Sequence, residues 1–354
     1  MIVSICGFGY SGSGALKDYL SEFKDVNVLR NIEFQLLYFP DGISDLDFHL
    51  NCSCNRHYDC DLAIKRFGTL CRKWDAEYPS IFNGKLYQLA LDYTNSLVQV
   101  EGLGSWTYDR LGFPPEYYDG INEKNRKILK RNKILHFCNR CLRKLHLPQF
   151  KEKAETPYFA DRPFYISIKP ERFMQKTHEF MDNVLDLVGA NTGKFVVFDQ
   201  FTPPGNPALY NKYVPRDIKT IVVSRDPRDL YLFSRLKNPS FIPHRNVEEF
   251  VDWYRYTQSP ELLVDDESVL RLRFEDLIYE YDKTSNLLKS FLGLEGESDK
   301  KKFNPSVSVV NTKIFERYPE YKEDVKFISE NLKDYLYDYS KHENVAPEKG
   351  VSIF

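Results

Sequence analysis

The chain has 354 residues, of which 42% are hydrophobic and 28% are charged, and its formal net charge is −2. A chain of this length can bury a large core, and the absence of a basic excess argues against nucleic acid as a partner. Its start lacks the basic region and the long apolar run of a signal peptide, and no apolar run is long enough for a membrane span. These features predict a cytoplasmic protein without a membrane span, in which the seven cysteines stay reduced.

The first elements predict the opening of an α/β unit. Residues Ile2 to Cys6 form a short apolar run, a Gly/Ser loop follows, and apolar residues recur at helical spacing from Ala15 to Phe23. The next strand is predicted from Val26 to Leu29. A strand, a glycine-rich loop and an amphipathic helix in succession are typical of a parallel sheet with helical crossovers.

The middle of the chain, residues 40–190, has no comparable buried strand but many charged and aromatic residues at helical spacing, so we predict a mostly helical insertion there. It forms the predicted acceptor side. Beyond it, short apolar runs predict three further strands, at Lys194–Phe198, Thr220–Ser224 and Val269–Phe274. The periodicity of the tail predicts a closing helix over Glu316–Tyr339. The whole chain, residues 1–354, is predicted as a single domain. Its predicted fold is a P-loop-like three-layer α/β core with a parallel sheet of about five strands.

The loop from Gly7 to Gly14 predicts an anion site. Its glycines and serines let backbone amides converge at the N-terminus of the following helix. The partial positive charge and the unpaired N–H groups there bind phosphate-like anions. The loop alone does not identify the anion.

Two other functions were considered for this loop. Gly7, Gly9 and Gly12 fit the G-x-G-x-x-G pattern of dinucleotide-binding domains, and Glu33 lies near the expected position of a ribose-binding acid. A Rossmann-type NAD-dependent oxidoreductase is therefore the alternative. A nucleoside triphosphate loop needs a lysine where this chain has Ser13, so an ATPase, a GTPase or a kinase is disfavoured.

Arg225 follows a predicted buried strand and precedes a predicted helix, for which Asp226 and Pro227 can serve as N-cap and first residue. A forked, permanently charged side chain at a sheet edge suits bidentate binding of a phosphate. A structural arginine paired with Asp226 or Asp229 is the other interpretation.

These segments resemble those of sulfotransferases that use 3'-phosphoadenosine-5'-phosphosulfate (PAPS). GFGYSGSG, residues 7–14, is similar to the family's 5'-phosphosulfate loop, and TIVVSRDPRDLYLFSR, residues 220–235, is similar to its 3'-phosphate segment. Two weaker similarities lie at FEDL, residues 274–277, and in a Ser-x-x-Asn stretch formed by Ser308 and Asn311. The resemblance covers about residues 1–40 and 190–340.

The resemblance implies a PAPS-dependent sulfotransferase that transfers a sulfuryl group to a hydroxyl acceptor, a carbohydrate by analogy, with no metal. Glu33 is the candidate base, since EFQL at 33–36 resembles a family segment that carries a catalytic Glu, and Asp199 is the reserve. The implied PAPS-binding residues are Gly9, Tyr10, Ser11, Gly12, Ser13, Gly14, Ala15, Arg225 and Ser234.

Two positions depart from the family pattern. Tyr10 stands where the family carries a Lys or Arg, so another cation must serve the leaving phosphate or the protein binds PAPS without turnover. Lys17, Lys169, Arg228 and Lys313 are candidates for that cation. The 3'-phosphate serine of the family would fall at Phe233, whereas this chain has its serine one position later, at Ser234. One residue rotates the side-chain direction on a helix by about 100°.

The cysteines include one cluster with metal-like spacing, Cys52-x-Cys54-x-x-His57-x-x-Cys60. A Cys-x-x-Cys pair at 138–141 lies about eighty residues further on. That separation favours ordinary reduced cysteines over a structural zinc. No metal is predicted.

Overall fold

The computed structural model describes residues 1–52, 57–103, 115–153, 163–191, 193–261, 263, 265–296 and 302–352, with backbone alone at 31, 57 and 115–122. Its strands are β1 (Ile2–Cys6), β2 (Val26–Glu33), β3 (Val100–Leu103), β4 (Pro163–Ile166), β5 (Phe195–Asp199), β6 (Ile218–Ser224) and β7 (Val269–Arg273). The helices of the first half are α1 (Ser13–Leu20), α2 (Ile43–Asp47), α3 (His57–Glu77), α4 (Pro79–Phe82), α5 (Lys85–Leu97) and α6 (Pro115–Lys144). Those of the second half are α7 (Phe173–Leu187), α8 (Pro227–Lys237), α9 (Val247–Thr257), α10 (Asp276–Tyr279), α11 (Tyr281–Leu292), α12 (Pro305–Ser308) and α13 (Lys322–Asn331).

The chain forms two compact units. The first contains residues 1–45, 70–93 and 174–354, and the second contains residues 46–69 and 94–173. Residues 70–93 and 174–190, which lie within the predicted insertion, thus belong to the unit that holds the N-terminal strand. The extent of the domain stays a prediction.

A five-stranded parallel sheet is the centre of the first unit, in the order β2-β5-β1-β6-β7. The predicted α/β core with about five parallel strands is therefore confirmed. The strand β1 occupies the middle and is buried along its whole length, as the uninterrupted apolar run predicted.

The alternating side chains of β1 serve different purposes on the two faces of the sheet. Val3 and Ile5 join a hydrophobic cluster with residues of α1 and α11. On the other face, Ser4 is buried, and its Oγ accepts hydrogen bonds from the backbone N–H and the hydroxyl of Thr202 at 3.1 and 2.9 Å. This alternation anchors β1 to the layers on both sides and so fixes the loop that follows it.

The second unit contains a two-stranded antiparallel sheet of β3 and β4. The sequence analysis found no buried strand in this part of the chain, and these strands have four residues each, all exposed or half-buried. A short run without buried apolar residues gives no periodicity that predicts a strand.

The C-terminal tail is less helical than its periodicity predicted. One helix, α13, covers Lys322–Asn331, and single 3₁₀ turns flank it at Pro319–Tyr321 and Lys333–Tyr335. Part of the predicted apolar face is nevertheless buried, since Ile328 and Leu332 join a cluster with α8 and α9. Within the described residues, none of the helices has the length and apolar character needed to cross a membrane.

Candidate functional site

A cavity of about 750 Å³ opens at the carboxyl ends of the five parallel strands. Each strand supplies at least one wall residue at or just after its last position, in the order Gly7, Glu33, Gln200, Arg225 and Phe274. Ligands of open α/β sheets bind at this edge, because the loops after the strands converge there. The cavity is therefore the candidate site.

The loop between β1 and α1 lines the cavity from Gly7 to Ala15. Its path requires glycine at Gly9 and Gly12, whose φ angles are +92° and +101°. A Cβ atom at Gly12 would also lie 2.4 Å from Cδ2 of Phe274. The glycine pattern thus lets the loop backbone approach Phe274 closely and form this part of the cavity wall.

The helix α1 begins at Ser13 without a side-chain cap, and its first turn has no acidic residue. Uncapped N–H groups and the positive end of the helix dipole are therefore available to an anion in the cavity. Ser11, 6% exposed, and Ser13 add hydroxyl groups to the same wall. The predicted anion-binding loop residues, Gly9 through Ala15, all lie together in this wall.

Arg225 lies in the cavity wall with its guanidinium held by backbone carbonyls. One Nη donates to the carbonyl of Tyr10 at 3.2 Å and the other donates to the carbonyl of Asn311. The rings of Phe233 and Phe274 lie 4.9 and 5.3 Å from its Cζ. The Nε–H is buried and has no hydrogen-bond partner among the residues that the structure describes. The cavity wall therefore contains a fixed cation, one donor of which is buried without a partner in the described part of the chain.

The aspartates that follow Arg225 have other partners. Asp226 caps α8 through the N–H of Arg228 and also binds the guanidinium of that residue at 2.7 Å. Asp229 accepts bonds from the N–H groups of Lys313 and Ile314 at 2.9 and 2.6 Å. Burial lowers the pKa of Arg225, and the charge of Asp229 opposes this shift. The structural interpretation of Arg225, a direct pair with either aspartate, is not what the contacts show.

Glu33 is the last residue of β2 and lies in the cavity wall, where Nε2 of Gln35 donates to its Oε2 at 3.2 Å. The pairing of β2 is irregular after Val28 and resumes with Glu33 opposite Asp199. Loss of solvent around the carboxyl raises the pKa of Glu33, the charge of Asp199 adds to this, and Lys17 opposes it. A carboxyl with a raised pKa at a cavity wall is suited to proton transfer.

Asp199 and Lys17 form an ion pair beside Glu33. The Lys17 Nζ lies 2.5 Å from Oδ2 of Asp199, and Oδ1 of Asp199 is buried without a hydrogen-bond partner within the described residues. Neither residue is part of the cavity wall. Asp199, the reserve base, is therefore a neighbour of the candidate base and already bound to a cation.

The structure does not bring Ser234 to the cavity. Phe233 lines the wall instead, with its ring 4.9 Å from the ring of Tyr10, while Ser234 is fully buried and its Oγ has no partner in the described part of the chain. The one-residue displacement noted in the sequence thus places the aromatic side chain, not the hydroxyl, at the cavity.

A C-terminal segment completes the wall, and sequence reasoning missed most of it. It contributes Lys302, Phe303, Asn304, Val307, Ser308 and Asn311. The Glu22 carboxylate fixes the segment by accepting the N–H of Phe303 at 2.7 Å. Lys302 is exposed, and its Nζ donates to the carbonyl of Ser21 at 3.3 Å. The only sequence signal here was the Ser-x-x-Asn stretch, which did not indicate a basic residue.

Two of the other candidate cations, Arg228 and Lys313, have partners elsewhere. Arg228 is bound to Asp226, and the Nζ of Lys313 donates to Asn344 at 3.3 Å. Lys169 belongs to the second unit. In the described residues, the basic side chains of the cavity wall are Arg225 and Lys302.

The cysteines of the metal-like cluster are only partly within the described residues. Cys54 and the side chain of His57 lie outside them, while Cys60 is buried and accepts the N–H of Ser167 at 3.3 Å. The described residues contain no group of three or more side chains arranged to hold a metal ion.

The chain matches no family model, and no curated protein matches it at a significant level.

Proposed function

We propose that the protein is a PAPS-dependent sulfotransferase whose acceptor is a hydroxyl group, in the first instance of a carbohydrate. The observation that carries the proposal is the position of Arg225 in the same cavity as the loop of residues 9–15 and the N-terminus of α1, which has no side-chain cap. PAPS carries anionic groups at its 5' and 3' ends, and this cavity combines two anion-binding features, the loop and an arginine that contacts the loop through the carbonyl of Tyr10. The volume of about 750 Å³ is within the range of nucleotide and cofactor sites.

The residues of the cavity fit such a donor. The loop amides with Ser11 and Ser13 would hold the phosphosulfate, as helix N-termini hold phosphate groups. The Arg225 guanidinium would hold the 3'-phosphate through the Nη hydrogens that its bonds to the carbonyls of Tyr10 and Asn311 leave unused. Phe233, in place of a serine, gives the wall beside Arg225 an aromatic surface.

Lys302 is our candidate for the cation that the loop lacks at Tyr10. It lies in the cavity wall, and among the described residues its Nζ has one long contact, to a backbone carbonyl, so the ammonium group can be redirected at low cost. Lys17, by contrast, is committed to Asp199 at 2.5 Å.

Glu33 would take the proton of the acceptor hydroxyl as its oxygen bonds to sulfur. The donor supplies the sulfuryl group and leaves as adenosine 3',5'-bisphosphate when its sulfur–oxygen bond to phosphate breaks. A base whose pKa is raised towards the working pH accepts a proton more effectively than an ordinary carboxylate. The position of Glu33 at the end of β2 and in the cavity wall supports this role.

The strand order argues against the oxidoreductase alternative. In both common doubly wound arrangements the first strand pairs with the second. Here β5 lies between β1 and β2. A protein that binds PAPS without turnover is the remaining alternative, and the tyrosine at position 10 is the feature that favours it.

Calorimetric titration tests the nucleotide class. Adenosine 3',5'-bisphosphate should bind, whereas AMP, ATP with magnesium, and NAD should bind at least about tenfold more weakly, a difference of about 1.4 kcal/mol. Preference for NAD or ATP would reject the proposal. Transfer of labelled sulfate from PAPS to a panel of sugars then separates an enzyme from an inactive binding protein. A cytoplasmic location, which the buried free cysteines Cys6 and Cys71 favour, stays a prediction.

A further inference from the structure

Helix α6 and the segment after it carry a charge opposite to that of the whole chain. Residues 115–153 contain eleven Lys and Arg against four Asp and Glu, a net charge of +7 in a chain of net charge −2. Most of these basic residues are exposed. This part of the second unit is therefore a concentrated cationic surface.

One side of α6 also exposes a stripe of apolar residues. Ile134, Phe137, Cys141 and Leu145 are spaced three or four residues apart, which places them on one side of a helix. Ile134, Phe137 and Leu145 are 66%, 69% and 67% exposed, and Cys141 is exposed too. Large apolar side chains with this exposure along a continuous stripe are unusual on a surface that contacts only water.

The opposite side of α6 is already covered. The Asn139 side chain donates to the carbonyl of Phe150 and accepts its N–H, both at 2.8 Å. Asn132, seven residues earlier, makes the same pair of bonds with Lys153 at 2.7 and 3.1 Å. These bonds hold the returning chain along that side, so the exposed stripe is the face of α6 that the described residues of the unit leave uncovered.

Basic residues border the stripe. At about 100° per residue, Lys130 lies on the stripe itself, and Lys133, Arg140 and Lys144 follow one edge. All four are exposed. A helix with apolar residues on a stripe and lysine and arginine around it binds the interface of a bilayer, where the apolar groups enter and the cations meet anionic headgroups. The long basic side chains can keep their charges at the headgroups while the stripe enters.

We infer that the exposed stripe of α6 docks the protein on the surface of a membrane that contains anionic lipid. Polyanions such as nucleic acids or sulfated glycans would pair with the charges but would leave Ile134 and Phe137 in water. An acidic protein would be the other occupant, and the test below separates it. The inference concerns a peripheral contact and does not depend on the proposed function.

Vesicle co-sedimentation tests the inference with the full chain. We expect the protein to bind vesicles of phosphatidylcholine with about 30% phosphatidylserine at least about tenfold more tightly than vesicles of phosphatidylcholine alone. Raising the salt concentration should weaken this binding, because screening shortens the reach of the charges. Absence of binding to the anionic vesicles would overturn the inference and leave an acidic protein as the occupant.

Two double variants separate docking through the stripe from attraction by charge alone. Ile134→Ser with Phe137→Ser should reduce binding to anionic vesicles about tenfold or more, since the apolar groups that enter the bilayer are lost. Leu209→Ser with Tyr256→Ser is the matched control, because these residues of the first unit are also exposed, at 53% and 66%. Equal binding by both variants would overturn the inference. All four positions are on the surface, and circular dichroism verifies that both variants fold.

Discussion

Arg225 combines three properties at the scale of a single residue: burial, a backbone-fixed guanidinium and one donor without a partner. We expect Arg225→Ala to weaken adenosine 3',5'-bisphosphate binding by about 2–5 kcal/mol, because it removes a buried charge from the anion's neighbourhood. Arg225→Lys is the matched control, as it keeps the charge but not the fork, and it should recover part of the affinity. Calorimetry of the two variants measures the effect.

The result has a clear contrary outcome. If both Arg225 variants bind the bisphosphate as the unmodified protein does, the arginine is structural and its contacts to Tyr10 and Asn311 are its purpose. A thermal unfolding curve for each variant is required as a control, since the substitutions also leave those two carbonyls without their donor.

Glu33 should be needed for turnover and not for nucleotide binding. We expect Glu33→Gln to lower the rate of sulfuryl transfer by about 10²–10⁴-fold while adenosine 3',5'-bisphosphate binds as before. The base acts only in its ionised form. Because the pKa of Glu33 is raised above 4.5, the rate of the unmodified protein should already decline, as pH is lowered, at pH values above 4.5. A steady-state pH profile measures the position of this limb.

Asp199 provides the control for this assignment. Asp199→Asn removes a negative charge that raises the pKa of Glu33, so the acidic limb should move to lower pH. Turnover should persist in this variant. An inactive Asp199→Asn beside an active Glu33→Gln would reverse the assignment of the base.

At the scale of elements, the loop between β1 and α1 depends on its glycines to different degrees. Gly12→Ala should destabilise the protein by about 1–3 kcal/mol and weaken nucleotide binding, because the backbone has a φ of +101° and the new Cβ would meet Phe274. Gly14 lies within α1, and a Cβ there meets nothing within 4 Å. Gly14→Ala should therefore leave the free energy of unfolding unchanged or raise it by about 0.5–1 kcal/mol.

Urea unfolding of the two variants checks this prediction. A similar stability for Gly12→Ala and Gly14→Ala would mean that the loop adapts to a side chain and that its shape is not fixed by glycine. Such a loop would be a weaker basis for the anion site.

The elements that were predicted well are those whose signal is local. The strand β1 was predicted with its observed bounds, because an apolar run ends at Gly7 and needs no other information. The helix α1 begins at Ser13, two residues before the predicted start, since Gly12 in the left-handed region sets its N-terminus. The β3–β4 sheet was missed because neither strand buries an apolar face.

The site was only partly predictable for the same reason. The loop residues and Arg225 lie next to strands that are visible in the sequence, and they do meet in one cavity. Lys302 and Phe303 reach it through a contact to Glu22, and no local pattern reports such a long-range contact. Whether Phe233 or Ser234 faces the cavity depends on the rotation of α8, which changes by about 100° per residue.

At the scale of the whole molecule, two buried carboxyl groups, those of Glu275 and Asp229, make the stability of the fold depend on pH. Glu275 is fully buried and accepts the N–H of Asp226 at 2.7 Å. Burial raises its pKa to about 7, against the opposing charge of Arg273, and a related burial raises the pKa of Asp229 to about 6. Because the pKa is higher in the folded state, the folded protein binds this proton more tightly than the unfolded chain does. The resulting stabilisation is present at low pH and is lost as pH rises.

Glu275 should therefore lower the free energy of unfolding between pH 4.5 and about 7, its unfolded and folded pKa values. Glu275→Gln removes this titration. As pH rises across that range, the free energy of unfolding of the variant should therefore increase by about 1–3 kcal/mol relative to that of the unmodified protein. Urea midpoints at both ends of the range measure it. A constant difference would show that the Glu275 pKa is the same in both states.

The contact between Glu22 and Phe303 has a consequence for the time course of folding. It joins positions that are 281 residues apart, and Arg225 meets Tyr10 across 215 residues. Closing such long loops carries an entropic cost, so a cavity built from both ends of the chain is expected to form late. When refolding is monitored by nucleotide binding, the binding signal should recover more slowly than the helical circular dichroism. Bound nucleotide would then hold these distant segments of the chain together and slow unfolding.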